Sequence, residues 1–374
     1  LISSCFFHQR KTFRSRKFKK IYFKKNLTII LIPSIGYKKH IGLKRLIDHL
    51  ILAYNLNIFL NKDKLFLPDK IFLGYPPIES SLILLNWALK HKIPLMIDIK
   101  DNWPINFLEP FPKFLKPIAR LFLTPYFLIS KYVFRKVSKI NSISKEFNEW
   151  IRNFSKNKET NYIVTPLVRE PIEMSKDIEN SYISFWRNKN IEVISRKHFC
   201  FVGSITKSYN FDFIIKSAEF LNSDHPEYKF IICGSGDKFE ELIKITQNFE
   251  NILILGEIDK YAAKVLIKNS LGVLAPYKNS RNFKNSLPNK VIESFENSVP
   301  IITNLEGKLQ NMIYERKNGI FIPELTNAYL SQYLKIINDK NYQKEISKNA
   351  EKTYKELFNF NIIYDRLISE IINM

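Results

Sequence analysis

The stretch NSLPNKVIESFENSVPIIT, residues 285–303, sets a carboxylate shortly after a proline and hands over to an apolar run. Ser286 can cap a helix whose first turn Pro288 pre-shapes. Val291, Ile292 and Phe295 then share the face that packs on a sheet. The free amides of Ser286 and Leu287 and the helix dipole make an anion site, and Lys290 adds a positive charge to it. Glu293 stands less than two turns further in, where it can accept hydrogen bonds from two neighbouring hydroxyls of a sugar. A nucleotide offers both groups at that separation, pyrophosphate and ribose. The plainer alternative is a solvent-facing glutamate on an amphipathic helix.

Other candidates sit at strand ends. In FVGSI, Gly203 follows an apolar run, where a missing Cβ lets backbone approach a phosphate, and Lys207 can reach the same anion. ICGSGD repeats the pattern with Gly234 and Gly236, but the third glycine of a dinucleotide fingerprint is missing, and a tight strand-to-helix turn is the better reading of a lone GxG. In the first half, IDIKDNWP gathers Asp98, Lys100 and Asp101 after an apolar run and ahead of Trp103. Asp101 can orient a hydroxyl and Trp103 can stack on a sugar ring. A salt-bridged turn with Trp103 as a core plug competes with that reading. GYPPIES, residues 74–80, is a comparable loop. The 6 histidines are scattered without metal-ligand spacing, and neither a GxSxG elbow nor a GxxxxGK[ST] loop occurs.

Positioning these residues requires alternating strands and helices. Short apolar runs at residues 26–33, 69–75, 93–99, 139–144 and 161–166, and again at 198–204, 228–234, 251–256, 271–277 and 299–303, alternate with amphipathic stretches such as 79–92, 211–221, 238–249 and 260–268. That rhythm predicts an α/β protein with parallel sheets covered on both faces. The charged, aperiodic segment before residue 198 reads as a linker. We therefore expect a Rossmann-like domain over 1–170, a linker over 171–197, a second such domain over 198–355, and a C-terminal helix over 356–374 returning to the first. Ligands of such sheets lie beyond the carboxyl ends of the strands.

With 374 residues the chain exceeds one ordinary core. Its net charge is +22, and the first fifty residues hold 13 Lys/Arg against the single acid Asp48. Such a field favours phosphorylated ligands, nucleic acid or an acidic membrane, although AT-rich coding bias toward lysine offers a second explanation. Three separated cysteines exclude a disulfide framework and fit a reducing cytosol. The greasy candidate for a span, residues 121–130, is far short of the ~20 residues a spanning helix needs. LISS at the start reads as a strand end, so an upstream element is expected to be missing.

Together these segments resemble the retaining glycosyltransferases of family 4, which have the GT-B fold. FVGSITKSYNFDFIIKSAEFL, FIICGSGDKFEEL, NILILGEIDK, LGVLAPY, LPNKVIESFENSVPII and NGIFIP follow the family's order. DIKDNWP, SSCFFHQRK and PSIGYKKHIGLKRLIDHL look like the subgroup that carries a DIRDLWP-type segment. The resemblance implies two doubly wound domains facing a cleft, the first without its initial strand, loop and helix. It also implies transfer of a sugar from a nucleotide diphosphate, UDP foremost, to a glycan or lipid-linked acceptor with retention. The setting would be surface polysaccharide or lipopolysaccharide assembly, with no metal and no cofactor beyond the donor. By the same resemblance Glu293 holds the donor ribose, Gly203 lies against the diphosphate, and Lys207 and Lys290 neutralise it. Gly234 lies near the base and Asp101 belongs to the acceptor side, where the reading of the residues themselves also puts Asp98, Lys100 and Trp103. Where many members have a first glutamate eight residues before the second, Asn285 stands here, and Ser204 replaces an arginine. These departures and the missing start leave a non-catalytic GT-B remnant as an alternative. A nucleic-acid-binding protein using the basic start is a lesser one, for no binding motif accompanies the charge. The expected location is cytoplasmic, with the basic start and the 107–135 region resting on the inner face of a membrane.

Overall fold

The computed structural model describes residues 1–8, 10–38, 42–62, 67–157, 160–284 and 287–374. The chain divides into two units, Leu1–Thr165 with Arg366–Met374, and Pro166–Asp365.

The first unit distributes its strands over three sheets. β1 (Ile2–Ser4) pairs in parallel with β5 (Leu27–Ile32), which pairs antiparallel with β4 (Lys19–Lys24). β2 (Phe6–Phe7) and β3 (Thr12–Phe13) form a small hairpin. β6 (Ile71–Tyr75), β7 (Leu95–Ile99), β8 (Lys139–Ser142) and β9 (Asn161–Val164) make a four-stranded parallel sheet in chain order. The helices are α1 (Leu43–Lys62), α2 (Ile78–Lys90), α3 (Lys116–Phe122), α4 (Thr124–Lys136) and α5 (Lys145–Ser155). Every residue of β7 and β8 is buried, as their near-continuous apolar runs require of inner strands. The strand β4 was not among the expected ones. Its sequence KKIYFK is basic and almost wholly exposed, so nothing in its hydropathy marks it.

The second unit holds one six-stranded parallel sheet in the order β12-β11-β10-β13-β14-β15. Its strands are β10 (His198–Val202), β11 (Lys229–Cys233), β12 (Ile252–Leu255), β13 (Gly272–Ala275), β14 (Ile301–Thr303) and β15 (Gly319–Phe321). Alternate residues feed two cores. Cys200, Ile231, Val273 and Ile301 enter one, while Phe199, Phe230, Leu274 and Ile302 enter the other. The strand order reverses between β10 and β13, which makes the carboxyl end of β10 a topological switch point. α6 (Lys176–Arg187) precedes the sheet, and the helices between its strands include α7 (Asp212–Asn222), α8 (Phe239–Thr246), α9 (Lys260–Lys268), α10 (Arg281–Lys284) and α11 (Asn289–Glu296).

Much of the segment read as a linker is α6, and it is built into the second unit. Trp186 is fully buried there, and its indole donates to the Ala262 carbonyl at 3.1 Å. Tyr182, Ile183, Phe185 and Trp186 pack on that core, an apolar face that the surrounding charges concealed.

Candidate functional site

At the switch point β10 ends on Val202, and the chain turns at Gly203 with a φ of 146°. The Gly203 amide donates to the Cys233 carbonyl at 3.0 Å. A Cβ on Gly203 would meet Lys290 Nζ at 3.0 Å. Lys290 comes from the first turn of α11 and is buried; its ammonium donates to the Val202 carbonyl and lies 3.7 Å from the centre of the Phe201 ring. Burial pulls its pKa down to about 8, against the opposing field of Glu293. A buried ammonium thus sits directly under a glycine turn at the carboxyl end of the central strand.

At Gly234 the missing side chain serves the packing of the turns. A Cβ there would collide with the Gly203 carbonyl oxygen at 1.9 Å, and one on Gly236 with the Ile205 oxygen at 2.2 Å. Protein backbone therefore fills the space beside both glycines, and they let one turn pass against the other. Lys207 lies exposed in the turn that follows Gly203.

Asn285 and Ser286 lie outside the described residues. The helix itself begins two residues later than a cap at Ser286 would set it. Pro288 is extended, with ψ 148°, and takes the N-cap position without a side-chain cap; Leu287 precedes it, half-buried against the core. The first helical amides are thus those of Asn289 and Lys290 rather than of Ser286 and Leu287.

Glu293 lies on the second turn of α11, partly buried. Arg169 Nη2 donates to its Oε1 at 2.7 Å. The same guanidinium faces Glu296 Oε2 at 3.7 Å, and Lys264 Nζ lies 3.7 Å from Glu296 Oε1. Lys264 also donates to the Ile172 carbonyl at 2.6 Å. Sequence reading missed Arg169, Glu296 and Lys264. The signal for Glu296 was its i, i+3 spacing from Glu293, which places both carboxylates on one helix face.

In the first unit the expected acceptor-side residues part company. Asp98 is buried, accepts from Asn141 Nδ2 at 2.8 Å and pairs with Lys100 at 3.1 Å. Trp103 is buried too, with Phe107 at 4.4 Å, His49 at 5.7 Å and the Arg45 guanidinium 4.6 Å from its ring. Both expectations are corrected: Asp98 and Lys100 close a salt-bridged turn, and protein groups cover the ring meant for a sugar. Asp101 alone of the group carries an exposed carboxylate. Desolvation raises its pKa, while Arg45 and His8 pull it down.

Next to Trp103 lies a buried polar cluster that sequence reading did not assemble. His49 Nδ1 is 3.8 Å from Glu79 Oε2, and neither atom has a hydrogen-bond partner. Burial, then Arg45 and His8, bring the His49 pKa down to about 4; burial raises that of Glu79, whose Oε1 accepts from Tyr126 at 3.0 Å. Among the described residues no three His, Cys, Asp or Glu side chains gather as a metal site, and no helix is long and apolar enough to cross a membrane.

Residues 183–353 match the family model described as glycosyl transferases group 1. The chain is similar in structure to WaaG, a glycosyltransferase involved in lipopolysaccharide biosynthesis, with a TM-score of 0.62 at 14% identity, covering 92% of this chain and 86% of that one. Sucrose-phosphate synthase from Thermosynechococcus elongatus gives 0.66 at 14%, covering 95% and 86%. HepE of Anabaena in complex with UDP gives 0.61 at 10%, covering 92% and 86%. No curated protein matches by sequence. At these identities the likeness establishes the fold, GT-B; the strand rhythm had led us to expect an α/β protein with parallel sheets, and the family resemblance had implied GT-B. With the group 1 domain it indicates a glycosyltransferase.

Proposed function

We propose that the chain transfers a sugar from a nucleotide diphosphate, UDP foremost, to a glycan or lipid-linked acceptor, with retention, as a family 4 enzyme of surface polysaccharide or lipopolysaccharide assembly. One observation carries the reading. A glycine turn, a buried ammonium and, one helical turn on, a carboxylate converge at the switch point of the six-stranded sheet. That is the order of diphosphate and ribose in a nucleotide. The HepE and WaaG likenesses support the donor class and the pathway class respectively.

In this reading Glu293 accepts the ribose hydroxyls. Lys290 and Lys207, beside the turn at Gly203, meet the diphosphate as charge grows on it during bond cleavage, so that they act in the transition state. The donor is the only small molecule required. Asp101, the exposed carboxylate of its group, stands on the acceptor side. For the full-length chain, Glu293→Ala removes charge-assisted hydrogen bonds worth about 1.5–3 kcal/mol each. Calorimetry with UDP should therefore show at least a tenfold loss of affinity, and unchanged affinity would refute the donor assignment.

The first unit also offers a surface for an acidic membrane. No acid occurs between Glu109 and Glu146, while Lys113, Lys116, Arg120, Lys131, Arg135 and Lys136 all do. Phe114, Ile118, Leu121 and Phe122 project at helical spacing from α3 and the turn before it; Phe122 is 79% exposed. Apolar side chains ringed by cations suit the anionic inner face of a bilayer, where a lipid-linked acceptor would be found.

A further inference from the structure

We propose that Arg169 is a positioning residue for the donor, fixing Glu293 in the setting from which it takes the ribose; this rests on the reading of Glu293 given above. Arg169 lies in the extended segment between β9 and α6, far from α11 in sequence. That segment is fastened to the second unit by Leu167 and Val168, which pack on the core, and by the Lys264 bond to the Ile172 carbonyl. The guanidinium takes one oxygen of Glu293, Oε1, at 2.7 Å. Among the described residues nothing else bonds the second oxygen, so Oε2 is left for a ligand.

The arrangement is wider than one pair. Arg169 Nε also faces Glu296, which is nearly buried, and Lys264 faces the far oxygen of Glu296. Two acids one helical turn apart are thereby matched by two cations. Without Arg169, Glu293 would have a free rotamer to lose on binding and a carboxylate neighbour to repel it. With Arg169, the carboxylate is held in place before the nucleotide arrives, and pre-organisation of this kind is repaid as affinity. An arginine fork suits such bridging better than an ammonium, because its N–H groups point at two carboxylates from one plane.

The test is calorimetry on the full chain with UDP and with 2′,3′-dideoxy-UDP, using wild type, Glu293→Ala, Arg169→Ala, Arg169→Lys and the double alanine variant. Arg169→Ala is expected to weaken UDP about three- to tenfold, the size of one side chain's ordering cost. It should leave dideoxy-UDP binding unchanged, so the preference for the ribose hydroxyls shrinks. Arg169→Lys should restore part of that preference. The double variant should bind no worse than Glu293→Ala alone, because the arginine acts only through the glutamate. Equal losses for UDP and dideoxy-UDP, additive losses in the double variant, tighter UDP binding by Arg169→Ala, or no change at all would each overturn the proposal. Loss of the melting transition in Arg169→Ala moves the decision to Arg169→Lys, judged on the same hydroxyl preference. If Glu293→Ala itself leaves UDP affinity intact, the ribose assignment fails, and that failure is separate from any result at Arg169.

Discussion

At the scale of single residues, Lys290 makes a prediction of its own. Burial holds its pKa at about 8, well below the ordinary lysine value. A diphosphate arriving beside it favours the charged form and raises that pKa. Binding near pH 8 should therefore take up a proton, and affinity should fall as pH rises past 8. Calorimetry in buffers of different ionisation heat reads this directly, and zero uptake at pH 8 would separate Lys290 from the phosphate. The same shift acts on stability with a definite sign. Between 8 and 10.5 the unfolded chain binds more protons at this site, so Lys290 makes the fold more stable as pH climbs through that window. The types and spacing of Lys290 and Glu293 were legible in the sequence, because one helix carries both. Arg169 was not, since it reaches Glu293 from 124 residues away. Trp103 and Asp98 misled for the opposite reason: aromatic and charged side chains at a strand end serve a core or a ligand, and only their neighbours decide which.

At the scale of elements, β5 to β9 in the first unit and β10 to β14 in the second followed from apolar runs bounded by turn residues, because inner parallel strands must be greasy throughout. Elements stabilised another way were hidden. β4 is a basic exposed edge, and α6 is amphipathic under a heavy load of charge. The glycine turns were visible as glycines, but their purpose was not. Gly234→Ala pushes a methyl into the Gly203 carbonyl at a positive φ, and the strain alone should cost about 1–3 kcal/mol. Gly256→Ala meets nothing within 4 Å and should stay within about 0.5 kcal/mol of wild type. Chemical denaturation of the two variants compares them; equal stabilities would contradict the described packing of the turns.

At the scale of the whole molecule, the excess charge of +22 becomes informative once its companions are placed. Basic side chains alone attract any polyanion, whereas basic side chains around exposed Phe114, Leu121 and Phe122 favour a bilayer. Flotation with vesicles should rise with anionic lipid content and fall in salt, and Leu121→Ser with Phe122→Ser should weaken it at unchanged charge. Binding that ignores lipid charge, or that survives the double serine variant in full, would count against a membrane face.

The helix Phe360–Ile372 starts in the second unit, and its last turns belong to the first. There Glu370 pairs at 2.8 Å with Lys139, a buried lysine of β8 situated 231 residues upstream. While a ribosome is still translating the later half, that lysine lacks both its counter-ion and the C-terminal helix that packs beside it. The early strands then have reason to stay loosely assembled until the far end of the polypeptide emerges, so synthesis order and folding order in this chain need not agree.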